Sequence, residues 1–410
     1  MVQALEGVRV AEFTAGMAGP WIGRFMAYCG AEVIKVESKS HPDVTRLYVP
    51  PWAPEMGTQP QLSPWFTDWN AGKRFVALDL TQPKAVELAK RLVATCDVVL
   101  ENYSSGVMDK LGLSYADFQR TTPDIIMFSS SGYGDRGPYR RYVTWGSNIE
   151  ALSGLSTVSG FPERECTITQ YAYPDVVSAF HGLFAVMCAL DYRRRTGRGQ
   201  YINLSQFEAT VAVIGHVMME YLANGREPQK LGNRSLSAAP HGCYRCKGED
   251  RWCVIAVCSD TEWERFCHAT GNPDWTRNPR FATHASRLEN VEELDRLVGE
   301  WTARHTDYDV MATLQEAGIA AGVVQNVEDL LRHDRQLAAR RFFEEVEHVK
   351  KGTVVTTGIP LGLTGTPGRT GRAGAAVGQD NDYVFGELLG MARQEIQQYI
   401  EVGAIEPAES

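Results

Sequence analysis

The sequence predicts an α/β protein with a large domain built on a parallel sheet and a smaller α/β domain. Short apolar strands alternate with amphipathic helices from the start, as in the strand GVRVAEF, the helix WIGRFMAYC and the strand AEVIKVE. Such a crossover is right-handed and places functional loops at the carboxyl ends of the strands. The stretch NGREPQKLGNRSLSAAPHG, rich in Gly, Pro, Asn and Ser, predicts a domain boundary.

The following elements continue this alternation. RFVALDL, DVVLENY and DIIMFSSSGYG are predicted strands, and PKAVELAKRLVATC is a predicted helix. A long helix starts at Asp175, carries apolar residues at helical spacing and stops at Gly197. A second helical run, LSQFEATVAVIGHVMMEYLANG, precedes the boundary. Beyond it, RWCVIAV and three amphipathic segments predict the smaller domain, and the tail from Thr356 to Gly378 predicts an extended chain before a closing helix.

Composition narrows the classes of function. The chain has 410 residues and a formal charge of -9, which gives no global reason to bind nucleic acid or an anionic membrane. Its best candidate for a membrane span, Val176 to Leu190, is interrupted by Ser178 and His181 and is therefore expected to be a buried helix. The start MVQALEGVRVAEF lacks an export signal, so a cytoplasmic location is expected.

The cysteines predict neither a disulfide framework nor a metal site. There are nine, an odd number, scattered along a long chain. Cys243 and Cys246 have CxxC spacing, but a zinc ribbon needs a second close pair, and Cys253 lies within a predicted strand instead. We expect reduced thiols and no metal.

The sequence GYGDRG, Gly132 to Gly137, matches the pattern GxGxxG and follows a predicted strand. A dinucleotide site needs a regular helix directly afterwards, whereas here Pro138 precedes YRRYVTWGSN, which has no apolar stripe. The turn, with Tyr133, is expected to approach a ligand. A nicotinamide-dependent oxidoreductase remains an alternative function from another class.

Asp175 has two interpretations. Aspartate favours the N-cap of a helix, where it accepts backbone N–H groups and meets the positive end of the helix dipole. Local pattern alone therefore favours capping over catalysis, because caps are much commoner than catalytic carboxylates.

Basic residues recur at the loops expected at the ligand-binding edge of the sheet. They are Lys39, Lys73, Arg74 and Lys110. Each alone is typical of a solvated surface. Together they would suit a ligand that carries phosphates, which binds outside the carboxyl ends of parallel strands.

The chain resembles the class III coenzyme A transferases, a family that includes formyl-CoA, carnitine and benzylsuccinate CoA-transferases and a branch of α-methylacyl-CoA racemases. The resemblance lies in blocks that follow the family order. They are LEGVRVAEFTAGMAGPWIGRFMAYCGAEVIKVE, NAGKRFVALDL, DVVLENYSSGVMDKLGL, SSSGYGDRGPY, the Pro-Asp pair at Asp175, TGRGQYINLSQFEA, GNRSLSAAPHGCYRCKGEDRW and GQDNDYVFGELLG.

This resemblance implies an architecture and a mechanism. It implies a Rossmann-like large domain formed by residues 1–225 and completed by a return segment at 331–410, with the small domain at 226–330. It also implies an interlocked, ring-like dimer and a nucleophilic aspartate at Asp175. In the family mechanism this carboxylate attacks an acyl-CoA thioester, giving an aspartyl anhydride and then an aspartyl-CoA thioester, with a carboxylic acid as acceptor.

The resemblance also implies where acyl-CoA, the co-substrate, binds. The matched positions are Gly16, Met17, Ser38, Lys39, Lys73, Arg74, Asn102, Tyr103 and Lys110. Formyl-CoA transferases have Gln where Met17 stands and Arg where Ser38 stands, which argues against a formyl and oxalyl pair. Lys39 would replace the missing charge.

Three further points concern the type of reaction, the subgroup of the family and the partner chain. The racemase branch uses a histidine at the position of Trp145, and indole cannot take up a proton as imidazole does, so transferase is favoured over racemase. The segment AAPHGCYRCKGEDRW resembles benzylsuccinate-type enzymes, whose donor is succinyl-CoA and whose two subunits are related but different. The partner chain is therefore a second copy or a related subunit, and a non-catalytic role for this chain in a mixed dimer stays open.

Overall fold

The computed structural model describes residues 2–48 and 63–408. Packing divides the chain into two compact units. The large unit comprises Met1–Ser156, Ile168–Arg226 and Gln336–Ser410, and the small unit comprises Thr157–Thr167 and Glu227–Arg335. The sequence placed the boundaries after residues 225 and 330 and did not assign the segment 157–167 to the smaller domain.

The large unit is built on a six-stranded parallel sheet. Its strands are β1 Arg9–Phe13, β2 Glu32–Glu37, β3 Arg74–Ala77, β4 Val98–Glu101, β5 Ile126–Ser131 and β6 Tyr201–Ser205. Their spatial order is β3-β2-β1-β4-β5-β6, with every neighbouring pair parallel. This is the strand order of Rossmann-like doubly wound folds, in which ligands bind at the carboxyl ends of the strands where the order reverses.

Helices follow the strands in the alternation that the sequence predicts. Those of the first part of the chain are α1 Ala18–Tyr28, α2 Val44–Leu47, α3 Pro64–Trp69, α4 Pro83–Val93, α5 Val107–Lys110, α6 Tyr115–Gln119, α7 Gly146–Leu152, α8 Leu155–Val158, α9 Tyr173–Thr196, α10 Gln206–Val213 and α11 Gly215–Asn224.

Each face of the sheet has its own core. On one face, Ile22 of α1 and Val186 of α9 pack with Phe128 of β5. On the other face, Leu88 of α4 packs with Phe13 of β1. Burial on both faces explains why these strands are almost continuously apolar in sequence.

The carboxyl-terminal part of the chain completes the large unit. It contains α16 Arg335–Arg340, the antiparallel strands β10 Phe343–His348 and β11 Gly352–Thr357, a π-helical segment Asp382–Leu388 and α17 Arg393–Glu401. Phe385 lies in the core beside α4, and Ile405 forms an antiparallel bridge with Leu78 just after β3. The end of the chain therefore lies beside the sheet edge where β3 ends.

The small unit has one three-stranded antiparallel sheet and a core of its own. Its elements are β7 His241–Arg245, β8 Trp252–Ala256, α12 Asp260–Ala269, the 3-10 turns Asp274–Arg277 and Pro279–Phe281, α13 His284–Glu289, α14 Val291–Thr302, α15 Asp307–Glu316, β9 Ala320–Val323 and the π-helical turn Asp329–His333. Phe266, Leu294 and Leu314 are fully buried in its core.

The sequence missed the edge strand β6 and placed two helix starts differently. The segment YINLS of β6 pairs with β5 alone, and its short alternation is easily read as the start of the helix that follows. That helical run is two helices, because α10 ends at Val213 and α11 begins at Gly215, with Ile214 as the cap residue between them. The long helix α9 ends at Gly197 as predicted, but it begins at Tyr173 rather than at Asp175.

Helix α9 also has the length and apolar composition of a membrane span. Of its apolar 18-residue window, 33% is buried within the chain. Core helices of water-soluble proteins share these properties, so this is weak evidence for a membrane.

Candidate active site

Asp175 lies in the first turn of α9 but does not cap the helix. Ala172 is the N-cap residue, and no side chain satisfies the backbone N–H groups there. The Asp175 N–H itself donates to the Ala172 carbonyl oxygen at 3.0 Å. The N-cap role that local pattern favoured is therefore wrong, because Pro174 lets the helix start earlier.

The starts of two other helices in the large unit meet this carboxylate. The backbone N–H of Ala18, at the beginning of α1, favours the ionised form of this carboxyl group. Gly146, the first residue of α7, approaches so closely that an added Cβ would lie 2.5 Å from Asp175 Oδ2 and 3.0 Å from Ala172 Cβ. Among the described residues, none donates a hydrogen bond to the buried Oδ2 atom.

The electrostatics of this position raise the pKa of the Asp175 carboxyl. Burial of the group raises the pKa to about 6, although the N–H groups of Ala18 and Asp175 act in the opposite direction. An unperturbed aspartate has a pKa near 3.9. At neutral pH the ionised form still predominates, and it is less well solvated than a surface carboxylate.

The turn between β1 and α1 is held by side chains from three directions. Asn102, after β4, accepts from the Ala15 N–H and donates to the Ala15 carbonyl oxygen, both at 2.8 Å. Asp43 Oδ1 accepts from the Gly16 N–H at 3.1 Å, and Lys35 Nζ donates to the Thr14 carbonyl oxygen at 2.5 Å. Gly16 has a φ of 76°, a conformation that glycine adopts without strain.

A buried charge network lies behind this turn. Lys73 Nζ is 2.8 Å from Glu12 Oε1 and is also bonded to the Pro20 carbonyl oxygen and to Asn70 Oδ1. Lys35 Nζ pairs with Asp43 Oδ2 at 3.0 Å and lies 3.6 Å from the same Glu12 oxygen. Burial lowers the pKa of the Lys73 ammonium to about 8, although Glu12 favours its charged form.

A cavity of about 310 Å³ opens at the carboxyl ends of β1 to β4. Its lining includes two predicted residues, Ser38 and Tyr103, and several that sequence reasoning missed. The missed residues are Thr14, Ala15, His41, Asp43, Asp79, Leu80 and Thr81. The sequence shows only that such residues follow strands. It does not show which strand ends adjoin, because that depends on strand order.

Lys39 and Lys110 lie beside this cavity. Lys39 follows the lining residue Ser38, and Lys110 precedes the lining residue Leu111. Both are exposed, and neither forms an ion pair with another described residue. The Glu406 carboxylate holds the loop of Lys39 by accepting from the Lys39 N–H at 2.6 Å and from the Ser38 hydroxyl at 3.2 Å.

The structure does not bring Lys73 and Arg74 to this edge, so that part of the prediction is wrong. Arg74 begins β3, and its guanidinium pairs with Glu32 at 3.0 Å and with Asp380 at 3.4 Å. Lys73 is fully buried. Lys73 precedes β3 and Arg74 is its first residue, so both lie at the amino end of the strand rather than at its carboxyl end. In NAGKRF the strand itself starts at the arginine, a boundary that sequence pattern locates poorly.

Three more residues of the predicted CoA site have a structural role in the turn between β1 and α1. They are Gly16, Met17 and Asn102. The Gly16 N–H and the Asn102 amide bond to the protein, as described above. Met17 is 5% exposed and precedes α1 as its N-cap residue. These residues form and support the turn that leads to Ala18.

The GYGDRG loop follows β5 and leads to no regular helix before α7. The Tyr133 ring packs in an aromatic cluster with Tyr139, Tyr142 and Phe207, at centroid distances of 5.6, 6.1 and 5.7 Å. Tyr133 does not line the cavity described above. Trp145, directly before α7, is 63% exposed.

The thiols and acidic groups show no metal-binding arrangement in the described part of the chain, where no group of three or more His, Cys, Asp or Glu side chains could hold an ion. None of the nine cysteines forms a disulfide bond, and Cys246 and Cys253 are buried in the small unit.

The arrangement around Asp175 suits covalent acyl chemistry. A partly desolvated carboxylate is a nucleophile that needs no general base. The N–H group at the start of α1 is a donor for negative charge that develops at the reacting oxygen. Sequence reasoning missed Ala18 and Gly146, because neither lies near Asp175 in the chain.

Comparisons with known proteins identify a family of CoA-transferases. The chain is 32% identical over 392 residues to the succinyl-CoA–D-citramalate CoA-transferase of Chloroflexus aurantiacus, covering 96% of each chain. It is 30% identical over 395 residues to the alpha subunit of succinyl-CoA–L-malate CoA-transferase of the same organism, covering 96% of this chain and 91% of that subunit. The crystal structure of a CaiB/BaiF family protein from Brucella suis is similar with a TM-score of 0.85 and 29% identity, covering 95% of this chain and 100% of that one. The model of CoA-transferase family III matches residues 5–381, and the chain belongs to this family.

Proposed function

We propose that this enzyme moves CoA from an acyl-CoA thioester to a carboxylic acid through covalent intermediates on Asp175. The observation that carries the proposal is the position of the Asp175 carboxylate. It lies in the first turn of α9, its ionised form is favoured by the Ala18 N–H, and one of its oxygens, Oδ2, is buried without a hydrogen bond from the described residues.

In the first half of the reaction, an Asp175 oxygen attacks the thioester carbonyl carbon. The carbon–sulfur bond breaks, so that CoA leaves as a thiolate and a mixed aspartyl anhydride remains. The thiolate then attacks the aspartyl carbonyl carbon, the anhydride carbon–oxygen bond breaks, and the donor acid leaves as its carboxylate. The product on the enzyme is an aspartyl-CoA thioester.

The second half repeats these steps in reverse with the acceptor. Its carboxylate attacks the aspartyl-CoA carbonyl carbon and displaces the thiolate, which attacks the acceptor carbonyl of the new anhydride. Acyl-CoA is released and the Asp175 carboxylate is restored. An activated acyl bond exists at every stage, so no nucleoside triphosphate is consumed.

Each attack on the aspartyl carbonyl develops negative charge on an oxygen. The Ala18 N–H already favours negative charge on this carboxyl group and is held by the helix it begins. A fixed donor of this kind stabilises an oxyanion without reorganisation, and loss of one such donor costs roughly 3–4 kcal/mol in other enzymes.

The nucleotide part of CoA is proposed to occupy the cavity at the carboxyl ends of β1 to β4. Ser38 and Tyr103 line it, and the unpaired ammonium groups of Lys39 and Lys110 lie beside it. Cations next to a strand-end cavity suit the phosphates of CoA. Lys73 and Arg74 are not part of this proposed phosphate site, because both are paired within the protein.

The two lysines yield a prediction on binding. Replacing Lys39 and Lys110 together with alanine should raise the KM for acyl-CoA about 10-fold with little change in kcat, because the removed charges contact phosphates rather than the reacting carbon. The effect should shrink as salt is added. Steady-state kinetics at two ionic strengths measure it, with the exposed Lys350→Ala variant as control. A change confined to kcat would contradict this assignment.

Succinyl-CoA is the proposed donor. It is named as the donor of both Chloroflexus relatives, whose acceptors are D-citramalate and L-malate. The proposed acceptor class is accordingly a small carboxylic acid. The aromatic residues Trp65, Trp69, Tyr142 and Trp145 would instead suit a bulky apolar acid, and Trp52, which belongs to the same set in sequence, lies outside the described residues.

The functional enzyme is proposed to be a cytoplasmic dimer with a second copy or a related subunit. Apolar side chains on two helices of the large unit are exposed. Phe184 of α9 is 72% exposed, and Met219 and Leu222 of α11 are 63% and 76% exposed. Exposed apolar surface of this kind marks a protein interface. One relative is the alpha subunit of its enzyme, so a dimer with a related subunit remains an alternative to a dimer of two copies.

The pH dependence of the reaction follows from the raised pKa of Asp175. The attacking form is the carboxylate, so the rate should rise as pH increases through about 6 and become constant above about pH 7. Tyr171, which interacts with Asp175, stays neutral in this range because burial raises its pKa. Exchange of labelled succinate into succinyl-CoA measures kcat without knowledge of the acceptor. A rate that is constant between pH 5 and 8 would contradict the prediction.

The covalent mechanism is tested by incubating the protein with succinyl-CoA and hydroxylamine and mapping its peptides by mass spectrometry. Hydroxylamine converts an activated aspartyl group to a hydroxamate. A hydroxamate on Asp175 is the expected result. An unmodified Asp175 after incubation with several acyl-CoA donors, each shown to bind, would contradict covalent catalysis and favour the non-catalytic subunit.

A further inference from the structure

We infer that Asn102 is a positioning residue for the transfer reaction, because its amide fixes the turn that presents the Ala18 N–H to Asp175. The inference rests on the proposed role of Asp175 as the nucleophile. It concerns how the site is held in place rather than what binds there.

The Asn102 amide makes a two-point contact with a single residue of the turn. Its Oδ1 accepts from the Ala15 N–H and its Nδ2 donates to the Ala15 carbonyl oxygen, both at 2.8 Å. Both ends of the amide are therefore occupied by backbone. Two simultaneous bonds fix the orientation of Ala15 as well as its distance from the end of β4, which a single bond would not do.

The neighbouring residues of the turn are fixed from the opposite side. Lys35 holds the Thr14 carbonyl oxygen, and Asp43 holds the Gly16 N–H. Lys35 and Asp43 belong to β2 and to the loop after it, whereas Asn102 follows β4. The strand order places β1 between β2 and β4, so the turn after β1 is clamped across both neighbouring strands.

The fixed turn after β1 leads along the chain to Ala18 within three residues of Ala15. Only Gly16 and Met17 separate Ala15 from Ala18, whose N–H favours the ionised form of the Asp175 carboxyl, and α1 packs against α9 in the core. The first turn of α1 packs tightly against Thr14 and Asn102. A Cβ added to Gly19 would lie 2.5 Å from Thr14 Cγ2 and 3.0 Å from Asn102 Cγ. Loss of the Asn102 bonds should therefore move the start of α1 relative to Asp175.

The expected effect is on the chemical step. A misplacement of about 1 Å at a reacting group can lower a rate about 10²-fold. Replacing Asn102 should lower kcat for exchange of labelled succinate into succinyl-CoA by about 10- to 100-fold and change the KM for succinyl-CoA less than about 3-fold. A side chain that binds CoA directly would instead mainly change KM.

Two variants separate hydrogen bonding from packing. Asn102→Ala removes both bonds. Asn102→Asp keeps the size and shape of the side chain but replaces the Nδ2 donor with a carboxylate oxygen, which repels the Ala15 carbonyl oxygen. We expect Asn102→Asp to lower kcat at least as strongly as Asn102→Ala. Gln397→Ala, which changes an exposed amide on α17, should match the wild type.

The experiment measures kcat and KM for the wild type and these variants, after thermal unfolding has shown which variants fold. Wild-type kcat in Asn102→Asp would overturn the inference, because it would leave only a packing role. A change in KM alone would overturn it in favour of ligand contact. Trapping with hydroxylamine on the wild-type protein tests the proposed function separately, since a wild type without modified Asp175 removes the nucleophile itself, whatever the variants do.

Discussion

Replacing Asp175 with asparagine should lower CoA transfer at least about 10³-fold and leave acyl-CoA binding within a few-fold of wild type. An amide nitrogen or oxygen does not form the anhydride, so the covalent route is lost. The amide oxygen still offers the Ala18 N–H an acceptor, so the start of α1 keeps a favourable neighbour. Exchange of labelled succinate measures the loss of turnover, and calorimetric titration with CoA measures binding.

A matched control is available on the same helix. Asp191 lies near the end of α9, is exposed and pairs with Arg194 and Arg195 at 3.0 and 2.8 Å. Asp191→Asn changes the same functional group in the same helix and should retain full turnover, because exposed ion pairs contribute little. Turnover in Asp175→Asn within 10-fold of wild type would show that another group carries the acyl chain.

The same substitution should not destabilise the fold at alkaline pH. The folded-state pKa of Asp175 is raised, so this group favours the folded state at low pH and loses that contribution as pH rises through about 6. At pH 8 the wild type holds a desolvated carboxylate at a cost on the order of 1–3 kcal/mol. Thermal unfolding at pH 8 should therefore show Asp175→Asn to be as stable as the wild type or more stable.

Most of the large sheet could be predicted because buried parallel strands are apolar on both faces. The segments around Ala11, Ile34 and Leu100 are of this kind, and each is followed by an amphipathic or small-residue stretch. The edge strand β6 lacks this signal, since one side of Tyr201–Ser205 has no neighbouring strand and Tyr201 is exposed. The strand order itself depends on contacts between distant residues and has no local pattern.

The site was only partly predictable, because the sequence does not show whether a charged side chain is buried or exposed. Lys39 and Lys73 both look like strand-flanking cations in sequence, yet Lys39 is exposed and Lys73 is buried beside Glu12. What distinguishes them is an acidic partner on another strand. Glu12 lies inside an apolar strand, and a buried acid in such a place requires a cation. That signal, read together with NAGKRF, could have identified the buried pair.

Adding one methyl group at Gly146 should lower transfer about 10²-fold although it removes no functional group. The Cβ of Gly146→Ala would lie 2.5 Å from Asp175 Oδ2 and 3.0 Å from Ala172 Cβ. Carbon and oxygen do not approach so closely without a bond, so either α7 or the first turn of α9 must move. Movement of the carboxylate away from the Ala18 N–H misaligns the nucleophile, and about 1 Å suffices for this effect.

The matched control for Gly146→Ala is Gly215→Ala. Gly215 is likewise the first residue of a helix, α11, but an added Cβ there meets no atom within 4 Å. The same chemical change at the same helix position should therefore leave kcat unchanged. The KM for acyl-CoA should change little in either variant, because the cavity at the ends of β1 to β4 does not include Gly146. Wild-type kcat in Gly146→Ala would mean that α7 yields to the methyl group, and α7 would then play no part in holding Asp175 in place for attack.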